Sequence, residues 1–256
     1  MNTPFWLRCL ILLSLVAGGG ARAADMVRAI EQVKPSIVAV GGHKATNSPA
    51  FVIQGTGFAV GNGSVVATNA HVINVITSDA EVTVMVQVRL SATESQLRPA
   101  KVAVVDKEHD LALLRIEGPP LPPASLGDSE GVREGQEVAF TGFPIGSVMG
   151  FFPVTHRGMV SAVTPVAIPV PNSQKLSEKL IHRMRQGSFP IFQLDAVAYP
   201  GNSGSPIFSP ETGEVLGVIN MVVIKSTKEA ALAQPSGITY AVPVAFLKSL
   251  LAGLGR

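Results

Sequence analysis

Pro200-Gly201-Asn202-Ser203-Gly204-Ser205-Pro206 is the stretch on which the reading of this chain turns. Glycines stand close on both sides of Ser203, so the backbone can take positive φ and lie close against a neighbour. A turn that tight can aim the amides of Gly201 and Ser203 at one point. The same composition also makes ordinary turns. Two upstream stretches give it meaning: Thr68-Asn69-Ala70-His71, which ends an apolar run, and His109-Asp110-Leu111-Ala112-Leu113, which opens another.

A serine hydroxyl is a poor nucleophile at neutral pH. It needs a base within hydrogen-bond reach, and the base needs a partner that fixes its tautomer. His71 is the candidate base, placed just after Val65-Val66-Ala67-Thr68, where a loop can aim it into a cleft. Asp110 is the candidate orienting carboxylate. A partly buried carboxylate at a strand start must find a donor, and His71 would supply one. Ser203 is the candidate nucleophile, with the amides of Gly201 and Ser203 as the candidate oxyanion hole. Of the other histidines, His43, His156 and His182 read as solvated or structural. His109 faces away from Asp110's side if the segment is extended. Taken alone, Asp110 and Asp106 both read as turn aspartates.

Outward from these stretches, the chain alternates short apolar runs with Gly, Asn, Asp and Pro clusters, the pattern of strands and turns. The first set is Ile37–Val40, Gly57–Val60, Val65–Thr68, Val82–Leu90, Lys101–Val105 and Leu111–Ile116. Gly118-Pro119-Pro120-Leu121-Pro122-Pro123 follows and can be neither helix nor inner strand. The second set is Glu137–Gly142, Thr155–Ala162, Phe189–Leu194, Ser205–Phe208, Val215–Val223 and Ile238–Ala241. The fold class expected is all-β: two packed six-stranded antiparallel β-barrels with a cleft between them, barrel one over about 36–118 and barrel two over about 124–242. Met26, Val27, Ile30 and Val33 recur at helical intervals before Pro35, predicting a short N-terminal helix. Pro243 starts a C-terminal helix to about residue 252 through Val244, Leu247, Leu250 and Leu251. Residues 164–188 form a long connection in which Leu176, Leu180 and Met184 predict a further short helix, a surface insertion with a lid or partner contact as the alternative.

The chain has 256 residues, of which 46% are hydrophobic and 15% charged, enough to bury a substantial core. Its first 23 residues read as an export signal outside the fold: Arg8, an uncharged run from Cys9, then Ala21-Arg22-Ala23 with cleavage after Ala23. The run between Arg8 and Arg22 would extend roughly 20 Å as a helix, short of a ~30 Å hydrocarbon core, so no stable membrane anchor is expected. Residues 24–256 are then the folded domain. Removing Arg8 and Arg22 from 20 basic residues leaves 18 against 18 acidic, so the mature chain is formally neutral and carries no electrostatic case for nucleic acid. Cys9 leaves too, so no disulfide is expected. The 5 histidines show no paired spacing, and neither a metal nor another cofactor is expected.

Thr-Asn-Ala-His-Val, His-Asp-Leu-Ala-Leu-Leu and Leu-Asp-Ala-Val-Ala-Tyr-Pro-Gly-Asn-Ser-Gly-Ser-Pro together resemble the trypsin-like serine proteases of the bacterial HtrA (Deg) family. Further matches fall in order at Gly55-Thr56-Gly57-Phe58, Leu126-Gly127-Asp128-Ser129, Gly142-Phe143-Pro144-Ile145-Gly146, Gly158-Met159-Val160-Ser161, Gly217-Val218-Ile219-Asn220 and Gly237-Ile238-Thr239-Tyr240-Ala241-Val242-Pro243. The resemblance implies the double-barrel trypsin-like fold and hydrolysis of peptide bonds through an acyl-enzyme, in an exported bacterial protein acting on polypeptides. It differs from that family in two respects. No PDZ domain follows the match, and Ser205 replaces a usual glycine, a spelling similar to the bacterial glutamyl endopeptidases.

By the same resemblance the specificity pocket falls at Val197, Asn220, Met221 and Val222. A trypsin would carry an aspartate near Val197, and glutamyl endopeptidases a histidine at the position of Asn220. With neither present, the pocket predicts cleavage after medium-sized aliphatic residues, in unfolded proteins; Asp195 turned inward would instead favour basic ones. Asn202, uncharged where animal trypsins pair an aspartate with a new amino terminus, implies activity without further N-terminal trimming. The rival function is a protease-fold binding or chaperone module with little turnover, which the presence of all three triad residues disfavours. A non-protease acyl hydrolase has less support, since neither its nucleophile spelling nor its triad order is present. Oligomeric state is not readable.

Overall fold

The computed structural model describes residues 17–91, 93–144, 151–165, 189–220 and 237–254, with side chains from residue 25 onward. Two closed antiparallel barrels account for nearly all of it. The first contains β1 (Ile37–His43), β2 (Phe51–Val60), β3 (Val65–Asn69), β4 (Thr83–Arg89), β5 (Ser95–Asp106) and β6 (Leu111–Ile116), in the order β1-β2-β3-β6-β5-β4. The second contains β7 (Glu137–Gly142), β8 (Val154–Pro165), β9 (Pro190–Asp195), β10 (Pro206–Phe208), β11 (Val215–Asn220) and β12 (Ile238–Pro243), in the order β10-β11-β12-β9-β8-β7. The all-β, two-barrel expectation holds.

Residue pattern explains which strands lie where. In β4, Val84, Val86 and Val88 are buried while their neighbours are exposed or half-buried, the alternation of a strand with one wet face. β1, β3 and β6 read instead as nearly continuous apolar runs, because both of their faces are covered. Val38, Val40, Val66, Ala112 and Leu114 point into barrel one. Ile37, Ala39, Ala67, Leu111 and Leu113 point outward and join Ala139, Phe208, Val215 and Val218 of barrel two in one core. Barrel two has its own interior around Val138, Phe140, Val160, Phe192, Leu194, Ile207 and Ile219. Each such large side chain contributes roughly 1.5–3 kcal/mol by leaving water. The shared core fixes the barrels against each other without a disulfide.

Three helices flank the barrels among the described residues: α1 (Ala17–Val33), α2 (Ala70–Thr77) and α3 (Val244–Gly253). α1 starts earlier than the periodicity predicts, and a 3-10 turn at Lys34–Ser36 with Pro35 ends it. Its residues Ala29 and Val33 enter the shared core, and Gln32 lies against Gly213. Among the described residues no helix is long and apolar enough to cross a membrane. α3 buries Val244 and Leu247 as its spacing predicts.

The Pro-rich link does not hang free. Leu121 N–H donates to Gly63 O at 2.9 Å and Ala124 N–H to Ala59 O at 2.8 Å, while Arg98, itself buried, donates to Pro119 O at 2.7 Å. Several strand boundaries depart from expectation: β2 begins at Phe51 instead of Gly57, where Phe51–Ile53 pair with Gly41–His43 of a longer β1, and β8 runs on to Pro165. β5 begins at Ser95 instead of Lys101, since its first residues are polar and lie on an exposed edge of the hairpin with β4. β10 begins at Pro206, because the amide of Ser205 is used in the preceding turn. The predicted helix at residues 173–186 lies outside the described residues, as does the end of the expected strand 215–223 beyond Asn220.

Candidate active site

The start of α2 is where His71 and Asp110 meet. His71 is the second residue of this helix, not part of a loop, so the expectation of a loop-borne base is corrected. The helix begins at once because Asn69 ends β3 in an extended conformation and the next amides find acceptors across the sheet. Those acceptors belong to Asp110. Its main-chain oxygen accepts from Ala70 N–H at 3.1 Å and Asn69 Nδ2 at 3.0 Å, and its Oδ1 accepts from His71 N–H at 2.8 Å. Its Oδ2 lies 2.5 Å from His71 Nδ1. Asp110 precedes β6 and takes φ of 54°, a left-handed conformation that aspartate tolerates better than most residues. The His71 and Asp110 side chains keep 26% and 21% of their surface exposed, so the pair reaches solvent and is not sealed in a core.

The serine turn is held against the same region. Gly201 and Gly204 take φ of 102° and 86°. A Cβ at Gly204 would overlap the Thr56 carbonyl and approach Thr68 Oγ1 to 2.6 Å, three residues before His71. A Cβ at Gly55 would touch both Val72, next to His71, and Ser203 O. Turn and helix start are therefore packed together across the barrel boundary.

Amide use in the turn is informative. Asn202 N–H donates to Tyr199 O at 2.9 Å, Gly204 N–H to Ile219 O at 3.0 Å and Ser205 N–H to Asn202 O at 3.0 Å. Among the described residues, the N–H groups of Gly201 and Ser203 have no acceptor, and Ser203 Oγ has no hydrogen-bond partner, so the bond expected between it and His71 is not made. The two amides left over are the pair the sequence singles out as anion donors. Ser203 is 6% exposed and Asn202 is fully buried, its side-chain oxygen and nitrogen both unpartnered among the described residues.

Val197 is half-buried on the segment entering the turn. Thr239 fixes that segment: its hydroxyl donates to Ala196 O at 2.7 Å and accepts from Ala198 N–H at 3.2 Å. Asn220 ends β11, in register with Tyr240, and is 6% exposed. Met221 and Val222 lie outside the described residues. Asp195, the rival charge, is exposed at the end of β9.

Outside this cluster, residues 107–110 form a turn and not an extended segment, so strand alternation does not decide where His109 points. Its Nδ1 lies 2.6 Å from Asp106 Oδ2, and its ring stacks on Phe246 of α3 at 4.0 Å. Burial works against the Asp106 charge, yet bonds from the ring and amide of His109 outweigh it and hold the carboxyl below its usual range. His156 stacks on Phe140 at 4.9 Å, and burial pushes its pKa down. The residues that sequence reasoning passed over are Asn69, Thr68 and Thr56, all fully buried polar side chains. Thr56 stood inside a matched motif, Gly55-Thr56-Gly57, but a threonine between glycines gives no sign of what its hydroxyl bonds.

Comparison with known proteins gives the family. Residues 55–218 match the model of the trypsin-like peptidase domain. The chain is 31% identical over 206 residues to a mitochondrial serine protease HTRA2 of Drosophila pseudoobscura pseudoobscura, covering 80% of this chain and 40% of that one. It is 33% identical over 190 residues to a probable periplasmic serine endoprotease, DegP-like, of Pseudomonas putida strain GB-1, covering 74% of this chain and 32% of the relative. The chain thus spans 32% to 40% of the length of these relatives. Among solved structures, the HtrA-type protease AlgW with tripeptide superposes with a TM-score of 0.64 at 22% identity, over 90% of this chain and 63% of that one, a likeness of fold. By its sequence match across both barrels, this chain belongs to the trypsin-like peptidase domain family.

Proposed function

We propose that the chain is an exported serine endopeptidase that hydrolyses peptide bonds through an acyl-enzyme. One observation carries the reading: a turn whose unspent amides are those of Gly201 and Ser203 packs beside a histidine already oriented by a carboxylate. In this reading Ser203 Oγ attacks the peptide carbonyl carbon while His71 Nε2 takes its proton. The carbonyl oxygen becomes an anion, and the Gly201 and Ser203 amides stabilise it. The C–N bond breaks, and His71 returns the proton to the leaving amine. Water, deprotonated by His71, then attacks the ester, and Ser203 leaves with that proton. Asp110 holds Nδ1–H throughout, so that Nε2 is the basic nitrogen.

The pocket side supports aliphatic preference. Val197 offers no charge, and Asp195 is exposed on β9. Burying an unpaired Lys, Arg or Glu against such a wall costs several kcal/mol, while a Val, Leu or Met gains roughly 1.5–3 kcal/mol. Polypeptides without stable structure are the substrates proposed, because only an extended segment can enter a cleft between two barrels. Digestion of reduced casein by protein beginning at Ala24, with cut sites mapped by mass spectrometry, tests this. Cuts should fall mainly after Val, Leu, Ile or Met; a majority after Lys, Arg or Glu would refute the pocket reading.

Export is supported by Ala21-Arg22-Ala23 and by the likeness to a protein named as periplasmic. Sequencing the amino terminus of the protein recovered from a bacterial periplasm should give Ala24. An intact first segment in the membrane fraction would contradict export by cleavage.

A further inference from the structure

Every polar atom of Thr56 on β2 is engaged, and two of its bonds cross from barrel one to the serine turn of barrel two. Its N–H donates to Ser203 O at 2.8 Å, and its hydroxyl donates to Gly201 O at 2.7 Å. The hydroxyl also accepts from Phe143 N–H at 3.0 Å. Its carbonyl accepts from Thr68 Oγ1 at 2.7 Å, so Thr56 is itself fixed by the strand that leads to His71. Thr56, Thr68 and residues 202–205 of the turn are buried and Gly201 is half-buried, so these bonds lie largely out of water.

A trans peptide points the C=O of one residue opposite to the N–H of the next, so a held carbonyl fixes the amide that follows it. Within the turn, Ser205 N–H holds the carbonyl of Asn202 and so the peptide that carries the Ser203 amide, while Thr56 holds the carbonyls of Gly201 and Ser203 and so the peptides on either side of that one. Gly201 has φ of 102° and no side chain, so without a tether its peptides could rotate at little cost. A rotated peptide would present an oxygen where an amide is needed.

We propose that Thr56 is a positioning residue for the oxyanion hole: by holding the Gly201 and Ser203 carbonyls it fixes the peptides that flank the Ser203 amide and follow Gly201, and so the backbone from which both amides project. The proposal rests on the serine-protease reading of the same turn. It assigns barrel one a part in shaping a donor pair that belongs to barrel two. It also explains why a hydroxyl stands between two close-packed glycines: Gly55 and Gly57 leave no room for a Cβ, and Thr56 carries the one polar side chain of that segment.

The test compares wild type, Thr56→Val and Thr56→Ser from Ala24, with Thr56→Ala in place of the valine variant if that one does not fold. Kinetics use fluorescent casein, and binding uses a peptide aldehyde ending in valinal beside the matching peptide alcohol ending in valinol. The aldehyde forms a hemiacetal with Ser203 whose former carbonyl oxygen needs the donor pair; the alcohol, with no carbonyl, forms no adduct. Removing the hydroxyl should lower kcat roughly 10- to 100-fold at nearly unchanged KM. Aldehyde affinity should fall by a similar factor with alcohol affinity unchanged, and Thr56→Ser should recover most of kcat and aldehyde affinity. Wild-type kcat in the folded valine or alanine variant, an equal loss of alcohol affinity, or a serine variant no better than valine would overturn the proposal. If wild type hydrolyses nothing and its Ser203 reacts with no fluorophosphonate, the underlying reading fails instead.

Discussion

Both carboxylate oxygens of Asp110 are engaged, one by the His71 ring and one by the His71 amide. The second contact sits at the first turn of α2, where an amide would otherwise lack a partner. Asn69, the residue flanking the helix, makes no side-chain cap and instead donates to Asp110 O. The aspartate thus caps a helix from another strand while orienting a ring, and a negative charge there also suits the helix dipole. The two tasks separate by substitution. In Asp110→Asn the amide oxygen can still accept from His71 N–H, but an NH₂ against Nδ1 selects the wrong tautomer. That variant should keep nearly all stability and lose on the order of 10⁴-fold in kcat. Asp110→Ala should lose turnover as well and also unfold earlier, by about 1–2 kcal/mol for the missing cap. Thermal melts beside casein hydrolysis check this. Equal melting of the two variants would mean that the carboxylate does not cap α2.

At the scale of elements, period and punctuation made most strands legible. β1, β3, β6 and β7 stand out as apolar runs between turn residues because both of their faces are covered. The boundaries that shifted have physical causes. The polar start of β5 pairs only with β4, at an exposed edge, so no hydrophobic period marks it. α2 was hidden because Ala70–Thr77 is only 8 residues long and follows β3 directly. Its first amides are capped from a strand some forty residues away, and its buried Val72, Ile73 and Ile76 could equally continue a strand. Of the candidate site, the histidine, aspartate, serine and glycines could be read from their neighbours. Thr56, Thr68 and Asn69 could not, because what they do depends on carbonyls contributed by other strands. The stacking of His109 on Phe246 likewise needs the fold to bring α3 across, whereas its pairing with Asp106 is local, three residues apart in one turn.

At the scale of the whole molecule, the barrels share an apolar core and meet polar group to polar group at one edge of it. Barrel one contributes His71, Asp110, Thr56 and Thr68; barrel two contributes the turn with Ser203. The 18 basic and 18 acidic residues beyond residue 23 cancel formally, so net charge supplies no long-range steering. The central claim is that this assembled edge makes Ser203 a nucleophile. Incubation of folded protein, starting at Ala24, with a labelled fluorophosphonate measures that directly, since a free serine does not react at a useful rate. The account predicts one label per chain, mapped by peptide sequencing to Ser203, abolished in Ser203→Ala and reduced on the order of 10⁴-fold in His71→Ala. A folded wild-type protein that takes up no label, or takes it up equally as Ser203→Ala, would contradict it.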